Sequence, residues 1–190
     1  MIKPYPKTKR LPLHLMNIEG FQELPDKFYM SEAEMKQLLS PGLKFVREKM
    51  NGVSRPFQFG NLIVYYEDLR IRRVIPYTHL PDYNFVYMIK QVYPEGHERY
   101  LSVGDVNELA RRYRWFTPPV LMYTTEVLDV KLLVDLVRQP SQFNPDHVRE
   151  GIIIMNEDTG MEGKIINPEY DDNVHPDVYQ DLKWEMNKLA

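Results

Sequence analysis

Hydrophobic positions change their period several times along the chain, and each change predicts an element. Residues 1–30 are proline-rich and weakly periodic, which predicts an extended lead-in. Ser31-Glu32-Ala33-Glu34 has the form of a capping box, and it predicts a helix holding Met35, Leu38 and Leu39 that stops before Pro41-Gly42. Leu43 to Val46 reads as a strand running into Glu48-Lys49-Met50-Asn51-Gly52. Asn61 to Glu67, opened by Gly60, and Tyr83 to Ile89 are β-rich runs. Ser102 predicts the cap of a helix reaching Arg112, with Val106, Leu109 and Ala110 inward. Pro118-Pro119 breaks the chain, and Asp129 to Val137 reads as a further helix with Leu132, Leu133 and Leu136 buried. Arg149 to Met155 and Glu162 to Asn167 predict a hairpin around the turn 156–160. A last helix, capped at Asp177, would align Val178, Leu182 and Met186. The mix predicts an α+β fold with largely antiparallel sheet, one domain over 1–170 and a helical tail over 171–190.

Composition adds limits. The 190 residues, 43% hydrophobic and 27% charged, suit one good core. No run of about 18 apolar residues predicts a membrane span. The first residues lack the apolar stretch of a secretory signal, so cytoplasm is expected. The absence of cysteine excludes a disulfide framework, a thiol nucleophile and a Cys-ligated zinc. A net charge of -3 is not the footprint of a protein that coats nucleic acid. Any RNA contact must then come from a local patch: Lys7, Lys9 and Arg10; Arg70, Arg72 and Arg73; or Arg111, Arg112 and Arg114. Each reads equally as a solvated face.

Four pieces can carry chemistry. Lys49, at a strand end before Gly52, can aim its amine into a cleft, while Gly52 lets backbone approach a ligand. A lysine nucleophile must shed its proton, which burial or a nearby cation favours; the plain alternative is a solvated turn. Alternation puts Ile63, Tyr65 and Glu67 on one face, so Glu67 needs a partner, whether ribose hydroxyls, a lysine or a nearby arginine. Phe85, Tyr87 and Ile89 share a face on the same rule, and a ring there stacks either on a purine or in the core. In the hairpin, a five-residue turn pairs Met155 with Met161, Ile152 with Lys164 and Glu150 with Ile166. Glu150 and Lys164 then become diagonal neighbours, fit for a metal and a phosphate or for a cross-strand ion pair; a one-residue slip separates them.

In order, these pieces resemble the covalent nucleotidyltransferases: DNA ligases, RNA ligases and mRNA-capping guanylyltransferases. The resemblance is nearest to RNA ligases of the second T4 phage type and their small relatives, and it covers about residues 40–170. Lys49-Met50-Asn51-Gly52 resembles the Lys-x-Asp/His-Gly motif, and Tyr66-Glu67 the strand ending in Gly-Glu. Tyr83 to Ile89 resembles the aromatic motif, Glu150 to Ile154 the Glu-Gly motif, and Gly163 to Tyr170 the lysine-bearing strand.

That resemblance implies an adenylyltransferase domain, antiparallel sheets flanked by helices with ATP in the cleft between them. It implies Lys49 as nucleophile, Glu48 near the adenine edge, Glu67 on the ribose, and Tyr87 or Phe85 on the base. Asn51 and Gly52 would line the nucleotide, and Arg55 would be the arginine that follows the first motif. Glu150 would hold magnesium (or manganese) and Lys164 would contact the α-phosphate. The implied activity is ATP-dependent sealing of RNA 5′-phosphate and 3′-hydroxyl ends, with ATP preferred over GTP and a protein partner possible for end recognition. Asn51 for Asp, Tyr66 for Gly, and Glu162 where a second lysine is usual depart from the pattern. The short stretch after Tyr170 cannot form an oligonucleotide-binding domain, which favours the RNA-ligase branch. The rivals are a minimal DNA ligase, a nucleotide- or RNA-end-binding module without catalysis, and an unrelated soluble domain.

Overall fold

The computed structural model describes residues 2–171, 173 and 185–190. Among them the chain runs α1 (Glu32–Leu39), β1 (Lys44–Glu48), β2 (Val53–Phe59), β3 (Leu62–Asp68), β4 (Asn84–Val92), β5 (Glu98–Tyr100), α2 (Val103–Tyr113), β6 (Val120–Thr124), α3 (Val130–Val137), β7 (Pro140–Ser141), β8 (Asn144–Val148), β9 (Gly151–Asn156) and β10 (Met161–Ile166). The protein is α+β with antiparallel sheets. Two compact units form: a first of Met1–Pro6, Met50–Pro118 and Trp184–Ala190, and a second of Lys7–Lys49 and Pro119–Lys183.

In the second unit a four-stranded sheet runs in the order β10-β9-β1-β6. Pleating sends Val46, Ile152, Ile154 and Ile165 to one face, where they meet Leu38 and Leu39 of α1 and Leu133, Val134 and Val137 of α3. α1 starts where the capping box predicts: Ser31 Oγ accepts from the Glu34 amide, and the Glu34 carboxylate accepts from the Ser31 amide. α3 starts at Asp129 as predicted, but its buried stripe is Val130, Leu133, Val134 and Val137. Leu132 is 43% exposed. The i, i+3, i+4, i+7 spacing of that stripe selects the valines over Leu132, while Leu136 is partly buried against the same core. Residues 9–11 are not a loose lead-in. They line the free edge of β10, with the Lys164 amide donating to Lys9 and Lys164 accepting from Leu11, each at 3.0 Å.

The hairpin register differs from the expected one by a residue. Met155 pairs with Glu162, Ile153 with Lys164 and Ile152 with Ile165. The cause is Asn156, which belongs to the strand rather than the turn. It pairs with Met161, and its buried amide donates to the Leu38 and Ser40 carbonyls at 3.1 and 3.3 Å. Its Oδ1 accepts from the Asp158 and Thr159 amides. The turn is left with 157–160. Lys164 therefore lies on the sheet face away from Ile152, and the expected shared face of Glu150, Ile152, Lys164 and Ile166 does not form.

In the first unit the order is β2-β3-β4-β5, with Val64, Val86 and Ile89 packed on Val106 of α2. A bulge shifts register between Tyr65↔Met88 and Tyr66↔Val86, leaving Tyr87 as the extra residue. Ile89 and Tyr87 are thereby parted: Ile89 joins the α2 side, while the Tyr87 ring meets Tyr65. The expected common face of Phe85, Tyr87 and Ile89 is broken by that bulge. The end of the chain pairs with the 70–80 stretch: Arg72 N–H donates to Glu185, Asn187 to Arg70, and Ala190 to Leu80. The helix expected from Asp177 lies outside the described residues as far as 184, and 185–190 hold isolated bridges at Met186 and Leu189 rather than helix. No helix of the described residues is long and apolar enough to cross a membrane.

Candidate active site

Lys49 follows directly on β1, and its amide donates to Gly151 O at 3.0 Å. Its ammonium donates to both oxygens of Glu150, at 2.7 and 2.6 Å. The side chains are 23% and 7% exposed, so the pair is largely withdrawn from water. Three local features place Glu150. The Asn167 amide donates to its carbonyl at 2.7 Å. The preceding residue, Arg149, is anchored by its guanidinium to the Leu136 and Pro140 carbonyls at 2.9 and 2.8 Å. The following residue must be glycine, because a Cβ at Gly151 would stand 2.2 Å from Ile165 O. The Glu150 carboxylate thus finds Lys49.

Glu48 points the other way by the alternation of β1. It is 1% exposed. Its Oε1 accepts from Ser141 Oγ at 2.5 Å and its Oε2 from the Gln142 amide at 3.1 Å. Burial pushes its carboxyl above the usual range, against those hydrogen bonds and the charge of Arg149. Lys49 and Glu48, adjacent in sequence, are not brought together as one set. On the Lys49 face of β1 stands Arg47, 2% exposed, and Lys164 lies on that face too by pairing with Ile153, the partner of Arg47. Glu162, expected to disturb a phosphate, takes a hydrogen bond from the Thr8 hydroxyl. Arg10 and Asp171 form a bidentate pair beyond the end of β10. Burial opposes ionisation of Asp171, yet Arg10 and the Asn173 amide hold its carboxyl below the ordinary range.

The remaining candidates lie in the first unit. Asn51 is 5% exposed. Its Oδ1 accepts from the Val74 and Ile75 amides at 2.8 and 3.4 Å, and its backbone N–H donates to Tyr77 Oη at 2.9 Å. It fastens the 74–77 stretch. Gly52 leaves room for protein rather than ligand: a Cβ there would stand 2.6 Å from Leu69 Cδ2 and 2.7 Å from Asp68 O. Glu67 pairs across the sheet with Ser54 on one side and Phe85 on the other. Ser54 Oγ lies 2.6 Å from Tyr87 Oη, so Tyr87 sits on the Glu67 face. Tyr5 packs edge-on against Tyr87, ring centroids 5.5 Å apart. Phe85 is wholly buried and meets Phe116. Arg55 pairs with Tyr66, which puts it on the opposite face from Glu67, and it forms an ion pair with Asp68 at 3.2 Å.

Sequence reasoning missed Arg47, Arg149 and Ser141. Arg47 was readable two places before Lys49 on the same strand, and Arg149 beside Glu150. Ser141 carried no local signal, because its partner is 93 positions away. No protein-family model matches the chain, and no curated protein matches it.

Proposed function

We propose that the chain is an ATP-dependent nucleotidyltransferase of the RNA-ligase kind, in which Lys49 becomes a lysyl-AMP adduct and RNA 5′-phosphate and 3′-hydroxyl ends are then joined. The observation that carries this reading is the withdrawn Lys49–Glu150 pair at the end of β1. A lysine kept for solubility stands in water. This one is held in a defined place by a carboxylate whose backbone is fixed on both sides.

A carboxylate at that distance favours the ammonium, whereas attack needs the neutral amine. Arrival of a nucleotide must therefore break the Lys49–Glu150 contact. The amine then loses a proton to water and bonds to the α-phosphorus as the bond to pyrophosphate breaks. Lys164, on the Lys49 face of the sheet, would offset charge building on the α-phosphate. Magnesium or manganese would neutralise the phosphates; one carboxylate such as Glu150 suits that role, since a nucleotide brings most of the oxygens itself. AMP passes next to an RNA 5′-phosphate, and a 3′-hydroxyl displaces it.

The second reading, a nucleotide- or RNA-end-binding module without catalysis, is favoured by Asn51, whose side-chain carbonyl is committed to Val74 and Ile75. One experiment decides. The full chain is incubated with ATP labelled at the α-phosphate and a divalent cation, then run on a denaturing gel beside Lys49→Ala. Label on the parent and none on the variant is expected. An unlabelled parent, or an equally labelled variant, overturns the proposal.

A further inference from the structure

The first unit carries a surface that adenylyl transfer does not use. Phe57 and Phe59 stand on one face of β2, the sheet's edge strand, and Tyr113 and Trp115 stand at the end of α2. The rings touch in series. Phe57 meets Trp115 at 5.8 Å between centroids, Trp115 meets Phe59 at 5.5 Å, and Phe59 meets Tyr113 at 4.9 Å. Tyr113 and Trp115 lie 5.1 Å apart, and Phe57 continues the row to Tyr66 at 5.8 Å. This is not a closed core: Tyr113 is 41% and Phe59 39% exposed.

Arginines interleave with these rings along the chain, as Arg111-Arg112-Tyr113-Arg114-Trp115. All three arginines are exposed, and among the described residues no carboxylate forms an ion pair with any of them. Glu108, one turn back on α2, is not engaged with them either. The helix C-terminus favours cations at Arg111 and Arg112. That does not explain Arg114, the C-cap, which sits at φ 57° in the left-handed region. Glycine fits there without strain, and arginine does not.

We infer that this aromatic–arginine row is a docking surface for single-stranded nucleic acid. Rings exposed by about two-fifths offer faces and edges on which bases stack whatever their sequence, and unpaired guanidinium groups between them match a phosphate backbone. A chain with net charge -3 repels polyanions elsewhere, which confines binding to such a patch. A protein partner would need apolar area without uncompensated cations; three free arginines beside the rings favour phosphate. The inference does not rest on the lysyl-AMP reading, and it is tested without ATP.

The test is fluorescence anisotropy of the full chain with labelled single-stranded RNA of about 12 nucleotides. The same sequence as single-stranded DNA and as duplex RNA forms the other arms. Saturable binding of single strands, weaker for the duplex, is expected; preference between RNA and DNA then reports contacts to the 2′-hydroxyl. Tyr113→Ala should weaken binding by about tenfold, as loss of one stacked base does. Replacing Arg111, Arg112 and Arg114 by Gln should reduce the slope of log affinity against log salt by about 2, at roughly 0.7 per lost phosphate contact on a single strand. Arg114→Gly separates binding from folding: it should hold or raise the melting temperature while weakening binding. Absence of single-strand binding by the parent, or binding unchanged in both Tyr113→Ala and the triple variant, overturns the inference.

Discussion

Removing the Glu150 charge gives the sharpest test of the site. Glu150→Gln preserves shape but turns one of the two oxygens that now accept from Lys49 Nζ at 2.6–2.7 Å into a donor. The ammonium of a side chain 23% exposed is left facing an N–H. At a separation near 4 Å and an effective dielectric of about 20, a unit-charge pair attracts by about 4 kcal/mol, before its desolvation is subtracted. Breaking a fully buried pair by removing one partner costs about 3–5 kcal/mol. Lys49 keeps some water, so about 2–3 kcal/mol is expected here. At roughly 2–4 °C per kcal/mol for a chain of this size, the melting temperature should fall by roughly 5–10 °C. Lys49→Met on the Glu150→Gln background should return much of the loss, and the double-mutant cycle should show a coupling of at least about 1 kcal/mol. Urea unfolding of the set supplies the numbers, and intact mass after incubation with ATP supplies the activity. Glu150→Gln within about 0.5 kcal/mol of the parent, with no coupling to Lys49, would refute the pair as drawn.

Other expectations follow from the packing and the ion pairs. Leu133→Ala should cost about 2–5 kcal/mol, and Leu132→Ala no more than about 0.5 kcal/mol, because the first is wholly buried and the second 43% exposed; denaturant midpoints compare them. The Asp171 carboxyl is held below its ordinary value of 3.8. Its contribution is therefore complete above that pH and is lost as pH falls through the lowered value. Arg10→Gln should be destabilising at neutral pH, and the gap to the parent should close in acid, as unfolding curves across that range will show. Gly151→Ala should cost at least about 2 kcal/mol through overlap with the backbone of β10 and abolish the AMP adduct. A variant with parental stability would show that Ile165 can move aside.

What was legible in the sequence was mostly local. Ser31 and Glu34 announce α1 because both capping partners lie within one turn. Ser102 and Asp129 announce α2 and α3 for the same reason. The strands β2, β5, β6, β7 and β8 were missed. β2 carries Pro56 and is largely exposed, as an edge strand allows, so it lacks the apolar run of a buried strand. β6 follows Pro118-Pro119 directly and was absorbed into a break. The hairpin was found but its register was not, because the fate of Asn156 depends on carbonyls of α1 more than a hundred positions away. The bulge at Tyr87 likewise answers to its neighbours across the sheet and leaves no mark in the alternation of Phe85, Tyr87 and Ile89. Among the candidate residues, Lys49 and Glu150 did meet, while Glu48, Asn51 and Gly52 proved tied to protein atoms that no spacing rule reveals.

The interruption of one unit by the other governs the order in which the chain can fold. β1 cannot be paired until β6 and β9 exist, since Lys44 faces Thr124 on one side and Asn156 on the other. Most of the residues in between, Met50–Pro118, belong to the first unit, whose sheet is built from neighbouring hairpins and needs little from outside that segment. Early collapse of that segment would draw the two halves of the second unit's sheet together and lower the entropy of closing the long loop. Lys49 and Glu150, the residues that define the candidate site, would then be among the last to meet. Pulse-labelled hydrogen exchange should show amides of β3 and β4 protected before those of β1.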